Sequence, residues 1–228
     1  MSLIEMNRVK KHYHLGETIV HALQGVDLVI DKGEFVAIWG PSGSGKTTLL
    51  NLIGTIDEPS SGTLLFEGQE IVRLSDNERT EIRNKAIGFI FQGFNLIPVL
   101  SALENVMLPL QIKGTSFKTA REKAMARLED VGLSNIFNHI PSKMSGGQQQ
   151  RVAIARALVA DPSLVIADEP TANLDSKTSH IIIDLMHDLN KKKDTTFIFS
   201  THDNRLLDRV ERLVSLEDGM IKEDGGKK

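Results

Sequence analysis

The chain has 228 residues, 40 % of them hydrophobic and 25 % charged, with a formal net charge of −3 at pH 7. That length supports one domain carrying a sizeable subdomain, and the absence of cysteine excludes a disulfide framework or a thiolate metal site. The small negative charge supplies no basic footprint, so no nucleic-acid partner is expected, and no apolar signal core or membrane-length run is present, so an unexported soluble chain is expected.

Residues 3–30 read as two or three strands. Ile4, Met6 and Val9, then Val26, Leu28 and Ile30, alternate loosely with polar residues, as in an antiparallel sheet with one wet face. Tyr13, the only tyrosine, sits among Lys and His as either a surface residue or a base-stacking platform. Phe35 to Trp39 is a short apolar run, predicted to be a strand covered on both faces. Gly40, Pro41, Ser42, Gly43, Ser44, Gly45, Lys46, Thr47 and Thr48 follow, with the pattern G-x-x-x-x-G-K-T. Its glycines let the backbone curl so that N–H groups point inward as a nest for phosphate oxygens, at the positive end of the next helix. Lys46 reaches the outer phosphates and the Thr47 hydroxyl is placed to ligate Mg²⁺.

That helix is predicted over 45–56, a turn cluster over 57–62 and a short strand over 63–66. Ser75 and Glu78 form a capping box opening a helix through Arg83. Residues 87–91 form a second buried strand that ends in Gln92. Residues 101–160 change character: a capping box at Ser101 and Glu104 leads into helical patterns at 102–112, 117–131 and 146–160, an insert rather than a βαβ repeat. The α/β pattern then resumes. A strand at 164–167 ends in Asp168 and Glu169, an amphipathic helix covers 176–193, and a strand at 195–200 leads to His202. A last strand is predicted at 211–216, and the polar tail 223–228 is expected to fray.

Gly40, Gln92, Asp168, Glu169 and His202 thus follow the C-terminal ends of four apolar strands, the edge of a parallel α/β sheet where ligands bind. Asp168 can hold Mg²⁺ with Thr47, or simply cap a turn; Glu169 beside it can deprotonate an attacking water. Gln92 can hold Mg²⁺ through its amide oxygen or position water, and His202 can bond a γ-phosphate oxygen or be an ordinary strand-end histidine. Ser145, Gly146, Gly147 and Gln148 open the third insert helix. Ser145 is a good N-cap and the glycines leave N–H groups bare, so the segment is either a second anion site or an ordinary capped helix.

With these residues the sequence resembles the ATP-binding subunit of ABC transporters over nearly its whole length. Gly40–Thr47 resembles Walker A, Leu164–Glu169 Walker B with its catalytic glutamate, and Ser145–Gln148 the signature motif, with Met144 where leucine is usual. Gln92 resembles the Q-loop glutamine, Asn173–Asp175 the D-loop, His202 the switch histidine and Tyr13 the adenine-stacking aromatic. The runs 91–98, 102–106 and 145–156 are similar to the LolD/MacB group. The resemblance implies an α/β P-loop fold: a RecA-like parallel-sheet core with an N-terminal antiparallel part (1–92 and 161–228) and a helical signature subdomain (93–160), together one ABC ATPase domain.

It further implies ATP and Mg²⁺ as cofactors, hydrolysis to ADP and phosphate, and a head-to-tail dimer in which each signature helix closes on the other copy's ATP, with Asp175 across the seam. The partner would be a separate integral-membrane permease for lipoprotein release or for macrolide or peptide export, docked on the insert and the 92–98 loop. The chain would then lie on the cytoplasmic face of the cell membrane. The alternative is a non-transport regulator whose ATP cycling moves a membrane partner that controls cell-wall hydrolases.

Overall fold

In the computed structural model, which describes residues 1–226, β1 (Ser2–Leu15) and β2 (Thr18–Asp31) form a long antiparallel hairpin closed by Gly16 and Glu17. Gly16 supplies the positive φ that a two-residue link requires. The loose alternation has a cause: a register shift falls between Met6 and Val9, where Arg8 takes φ 47, so these two side chains share the buried face although they are three positions apart. β4 (Ser61–Phe66) pairs with the other edge of β1, and β5 (Gln69–Glu70) follows through the Glu67–Gly68 turn, giving the order β2-β1-β4-β5.

The second sheet has the order β10-β9-β3-β8-β7-β6, built from β3 (Phe35–Trp39), β6 (Ile87–Ile90), β7 (Leu164–Ala167), β8 (Thr196–Thr201), β9 (Arg212–Glu217) and β10 (Met220–Gly226). All its pairings are parallel except β9 with β10. β3 and β7 read as unbroken apolar runs because both faces are covered there. Phe35, Ala37, Phe197 and Phe199 enter one core; Val36, Ile38 and Ile198 enter the other, with the side chains of β1, β2 and β4.

β10 corrects the expectation of a frayed tail. Residues 223–226 pair with β9, and the Arg212 guanidinium bonds Asp224 at 2.7–2.8 Å and Glu34 at 2.8–3.0 Å. An edge strand is held by backbone pairing on one side, so a polar composition does not prevent it. Lys227 and Lys228, the rest of that tail, lie outside the described residues.

The helices are α1 (Lys46–Ile53), α2 (Asp76–Ala86), α3 (Ala102–Ile112), α4 (Phe117–Asp130), α5 (Gly146–Leu158) and α6 (Ser176–Lys193). Ser75 with Glu78, Ser101 with Glu104 and Ser145 with Gln148 each form a reciprocal capping box. A cap of this kind contributes about 1 kcal/mol. α3, α4 and α5 pack on one another through Val106, Leu110, Ala120, Ala124, Leu128 and Ile154, within the core on the Phe35 side of the sheet.

Ion pairs tie α4 to α6. Asp130 accepts from Lys192 and Arg127 at 2.8 Å, and Lys193 lies 3.3 Å away. Burial alone would raise the Asp130 carboxyl, but hydrogen bonds from Lys192, Arg127 and Lys193 outweigh it and hold its pKa at about 2, against an ordinary 3.8. A depressed carboxyl stabilises the fold fully above its unfolded pKa and loses that contribution as pH falls through the folded value. Calorimetric melting should therefore show the protein losing stability as pH drops from about 4 to about 2. Asp130→Asn should lose less over that window.

Candidate active site

β3 delivers the chain into the phosphate loop and α1 leads it out. Every other α-helix has a side-chain N-cap: Ser75, Ser101, Ser116, Ser145 and Asp175. α1 has Gly45 there, with no side-chain cap and no acidic residue in the first turn. Its free N–H groups and the positive end of its dipole are left for an external anion. Only glycine fits at this position: φ is +103°, and a Cβ would come within 2.5 Å of the Ala22 carbonyl oxygen of β2.

Lys46 is 7 % exposed, and its Nζ donates to the carbonyls of Gly40 at 2.8 Å and Pro41 at 2.9 Å. The cation thus spans the loop from beneath, with Glu169 Oε1 at 3.8 Å. Glu169 is itself in the left-handed region, φ 47, and its carboxylate meets His202 Nδ1 at 2.9 and 3.0 Å. Asp168 receives the Thr47 hydroxyl on Oδ2 at 3.0 Å and the Ser200 hydroxyl on Oδ1 at 2.6 Å.

Tyr13, Pro41, Ser42, Gly43, Gly45, Lys46, Thr47, Thr48, Gln92, Glu169 and His202 line one cleft of about 900 Å³, within the range of small-molecule sites. Gly40 and Ser44 lie beneath it and are buried. Tyr13 is anchored there: its hydroxyl donates to Asp57 at 2.9 Å, and Lys11 Nζ lies 4.9 Å from the ring centroid while bonding Asp57 at 2.6 Å. Burial and the Asp57 carboxylate push the Tyr13 phenol up. Burial opposes ionisation of Asp57, but the bonds from Lys11, the Glu58 backbone and Tyr13 prevail and hold its carboxyl below the usual range.

Thr47, Asp168 and Gln92 offer hydroxyl, carboxylate and amide oxygens, the hard donors a small divalent cation takes. No group of three His, Cys, Asp or Glu among the described residues could hold a metal by itself. This donor set therefore suits a Mg²⁺ that arrives on phosphate oxygens.

Ser145, Gly146, Gly147, Gln148 and Asp175 do not join this cleft. They line a second one of about 500 Å³, together with Asn173, Leu174 and Thr178, and the two clefts share no residue. Asp175 caps α6, and hydrogen bonds from the Thr178 hydroxyl and backbone keep its carboxyl below the usual range. Asn173 Nδ2 reaches back 2.8 Å to the Gln92 carbonyl, linking the loop after β7 to the loop after β6.

Residue patterns missed three features. Ser200, between Asp168 and the Glu169 backbone, was readable only as a hydroxyl interrupting a buried apolar strand. The Asn173–Gln92 bond, and the use of Val20, His21 and Ala22 as a cleft wall, depend on chain segments far apart in sequence.

A phosphate loop between a parallel strand and an uncapped helix, with acidic and imidazole side chains from the neighbouring strand tips, defines a P-loop ATPase. The model of the ABC transporter family matches residues 23–172. The chain is 46 % identical over 219 residues to the lipoprotein-releasing system ATP-binding protein LolD of Legionella pneumophila (strain Paris), covering 96 % of each chain. It is 48 % identical over 228 residues to the macrolide export ATP-binding/permease protein MacB of Syntrophobacter fumaroxidans, covering 99 % of this chain but only 32 % of that longer relative. A solved dimeric ATP-binding cassette in a post-hydrolysis state with ADP and Pi superposes at a TM-score of 0.89, with 44 % identity and 99 % of both chains covered. The chain belongs to the ABC transporter family, as an ATP-binding, ATP-hydrolysing cassette of the LolD and MacB type. Among the described residues, no helix is long and apolar enough to cross a membrane.

Proposed function

We propose that the cassette works as an ATP-closed, head-to-tail dimer that drives a separate membrane permease. The observation carrying this reading is the separation of the two anion-facing segments: the 145–148 helix start is complete in its caps, yet lines a different cleft from the phosphate loop. Each copy then holds half of two sites, and the γ-phosphate provides the attraction that closes them. The solved dimer with ADP and Pi is in keeping with such an assembly.

Within each site, Lys46 and the loop N–H groups hold the β- and γ-phosphates and Tyr13 stacks on adenine. Thr47, Asp168 and Gln92 would hold Mg²⁺, which would neutralise phosphate charge. Glu169 takes the proton of the attacking water and His202 fixes Glu169 and the γ-phosphate. Ser145 to Gln148 and Asp175 of the second copy complete the site. The catalytic core is 1–92 with 161–228, and 93–160 is the signature subdomain.

The 92–98 loop is built to carry motion outward. Arg156 of α5 bonds the carbonyl of Phe94 at 2.8 Å and that of Asn95, and the wholly buried Asn105 binds both backbone groups of Ile97. Movement at Gln92 would thus reach the signature helix. Val99, Ile112 and Phe117 are 81, 74 and 66 % exposed, apolar surface on the insert that supports docking on an integral-membrane permease, which would put the chain on the cytoplasmic face of the cell membrane. The names of LolD and MacB point to lipoprotein release or macrolide-type export as the work.

If each active site needs two copies, dilute protein should hydrolyse ATP with a turnover per chain that rises with chain concentration. A tenfold increase in chain should raise turnover by up to about tenfold far below the dimer constant. A turnover independent of concentration from nanomolar to micromolar protein would overturn the shared site.

A further inference from the structure

We propose that Ser200 is a positioning residue of the hydrolytic site, its hydroxyl locking the Asp168 carboxylate and the Glu169 backbone to each other. This rests on the roles given above to Asp168 and Glu169.

The geometry leaves the hydroxyl little choice. β7 and β8 pair with Ala167 opposite Phe199, which sets Ser200 beside the end of β7. Ser200 is fully buried, and its Oγ lies 2.6 Å from Asp168 Oδ1 and 2.8 Å from the Glu169 backbone nitrogen. A hydroxyl has one proton. The carboxylate must receive it, so the lone pair accepts the Glu169 N–H. The other two hydroxyls of β8 do something different: Thr196 accepts from the Gly33 N–H, and Thr201 from the Asp203 N–H.

Two consequences follow for chemistry. With Oδ1 held by Ser200, the Asp168 carboxylate cannot rotate freely, and Oδ2 stays turned to Thr47 at 3.0 Å, on the side where both would meet a cation. Glu169 takes a left-handed φ of 47, a conformation that non-glycine residues adopt only at a cost unless something holds them. The bond from its N–H to Ser200 is such a hold, and it aims the carboxylate at His202. Nucleotide affinity depends instead on the phosphate loop and Tyr13, which Ser200 does not touch. Ser200 should therefore govern metal binding and turnover more than affinity for ATP.

The test uses the full chain with Ser200→Ala and the nearly isosteric Ser200→Cys. Mn²⁺ binding in the presence of ADP is followed by electron paramagnetic resonance, beside kcat, KM for ATP and melting temperature. A partner that orients a metal-holding group is worth about tenfold or more in metal affinity or activity. The expected result is a Mn²⁺ half-saturation about tenfold higher and kcat about tenfold lower, with KM for ATP within about twofold. Parent-like Mn²⁺ half-saturation in a folded variant overturns the proposal, whether kcat falls or not. If Ser200→Ala does not fold, Ser200→Cys decides in the same way. Asp168→Asn and Glu169→Gln are run in parallel. Parent-like hydrolysis by both would sink the roles of Asp168 and Glu169 themselves, whereas inactive controls beside a parent-like Ser200→Ala would sink the Ser200 proposal alone.

Discussion

Glu169→Gln should lower steady-state ATP hydrolysis by about a hundredfold or more, the contribution expected of a general base, while ATP still binds. The substitution keeps the shape of the side chain and removes its ability to take a proton. It also removes one negative charge beside the triphosphate, 3.8 Å from Lys46, so ATP affinity should hold or rise. His202 Nδ1 keeps an oxygen partner in the amide. Because the γ-phosphate is removed far more slowly, the closed dimer should accumulate. Phosphate release measures the first effect. Size-exclusion chromatography with and without ATP measures the second, with a shift from monomer to dimer expected only with ATP. A variant that stays monomeric at high protein and saturating ATP would count against closure around two nucleotides.

Lys46→Ala should weaken ATP binding by about 10- to 150-fold, the equivalent of the 1.5–3 kcal/mol that a hydrogen bond to a charged group contributes. Among the described residues Lys46 is the only lysine or arginine lining the cleft, and it is already desolvated at 7 % exposure, so little hydration is lost when phosphate replaces the Gly40 and Pro41 carbonyls. The same substitution takes the Lys46 donor from the buried Gly40 carbonyl, while Pro41 keeps the Ser44 N–H at 3.3 Å, and some loss of melting temperature should accompany it. Trp39 supplies the readout. It is the only tryptophan, it immediately precedes Gly40, and its indole nitrogen is buried without a hydrogen-bond partner. Titration of the parent with Mg-ATP should change its emission, and the midpoint should move to higher ATP in Lys46→Ala. Parent-like midpoints would mean that Lys46 does not bear on the phosphates.

Much of the cleft was legible because the relevant physics is local. A phosphate loop requires specific residues within eight consecutive positions, and its strand-to-helix setting shows in the apolar run before it. Capping boxes at Ser75 and Ser101 and the N-cap at Ser145 are patterns within four consecutive residues, and all three form; the structure adds Gln148 as the reciprocal partner of Ser145. Strand tips carrying Gln92, Asp168, Glu169 and His202 could be aligned because parallel strands present their C-terminal ends to one edge. The register shift near Arg8 and the pairing of residues 223–226 were not legible. Each depends on a partner strand far away in the chain, and neither leaves a distinctive local pattern.

The amino-acid sequence by itself determined that a phosphate-loop pattern begins at Gly40, that acidic side chains follow the 164–167 strand, and that a capped, glycine-rich helix begins at Ser145. These depend on backbone freedom, helix ends and apolar periodicity, which act over a few residues. Only the tertiary structure decided which of these features share a cleft. The strand order put β8 between β3 and β7, so His202, Glu169 and Lys46 converge and Ser200 reaches Asp168. The packing of α5 on α3 and α4 carried Ser145 into a different cleft. Burial of the apolar faces of the sheet and the insert fixes that arrangement, and no short stretch of residues encodes it.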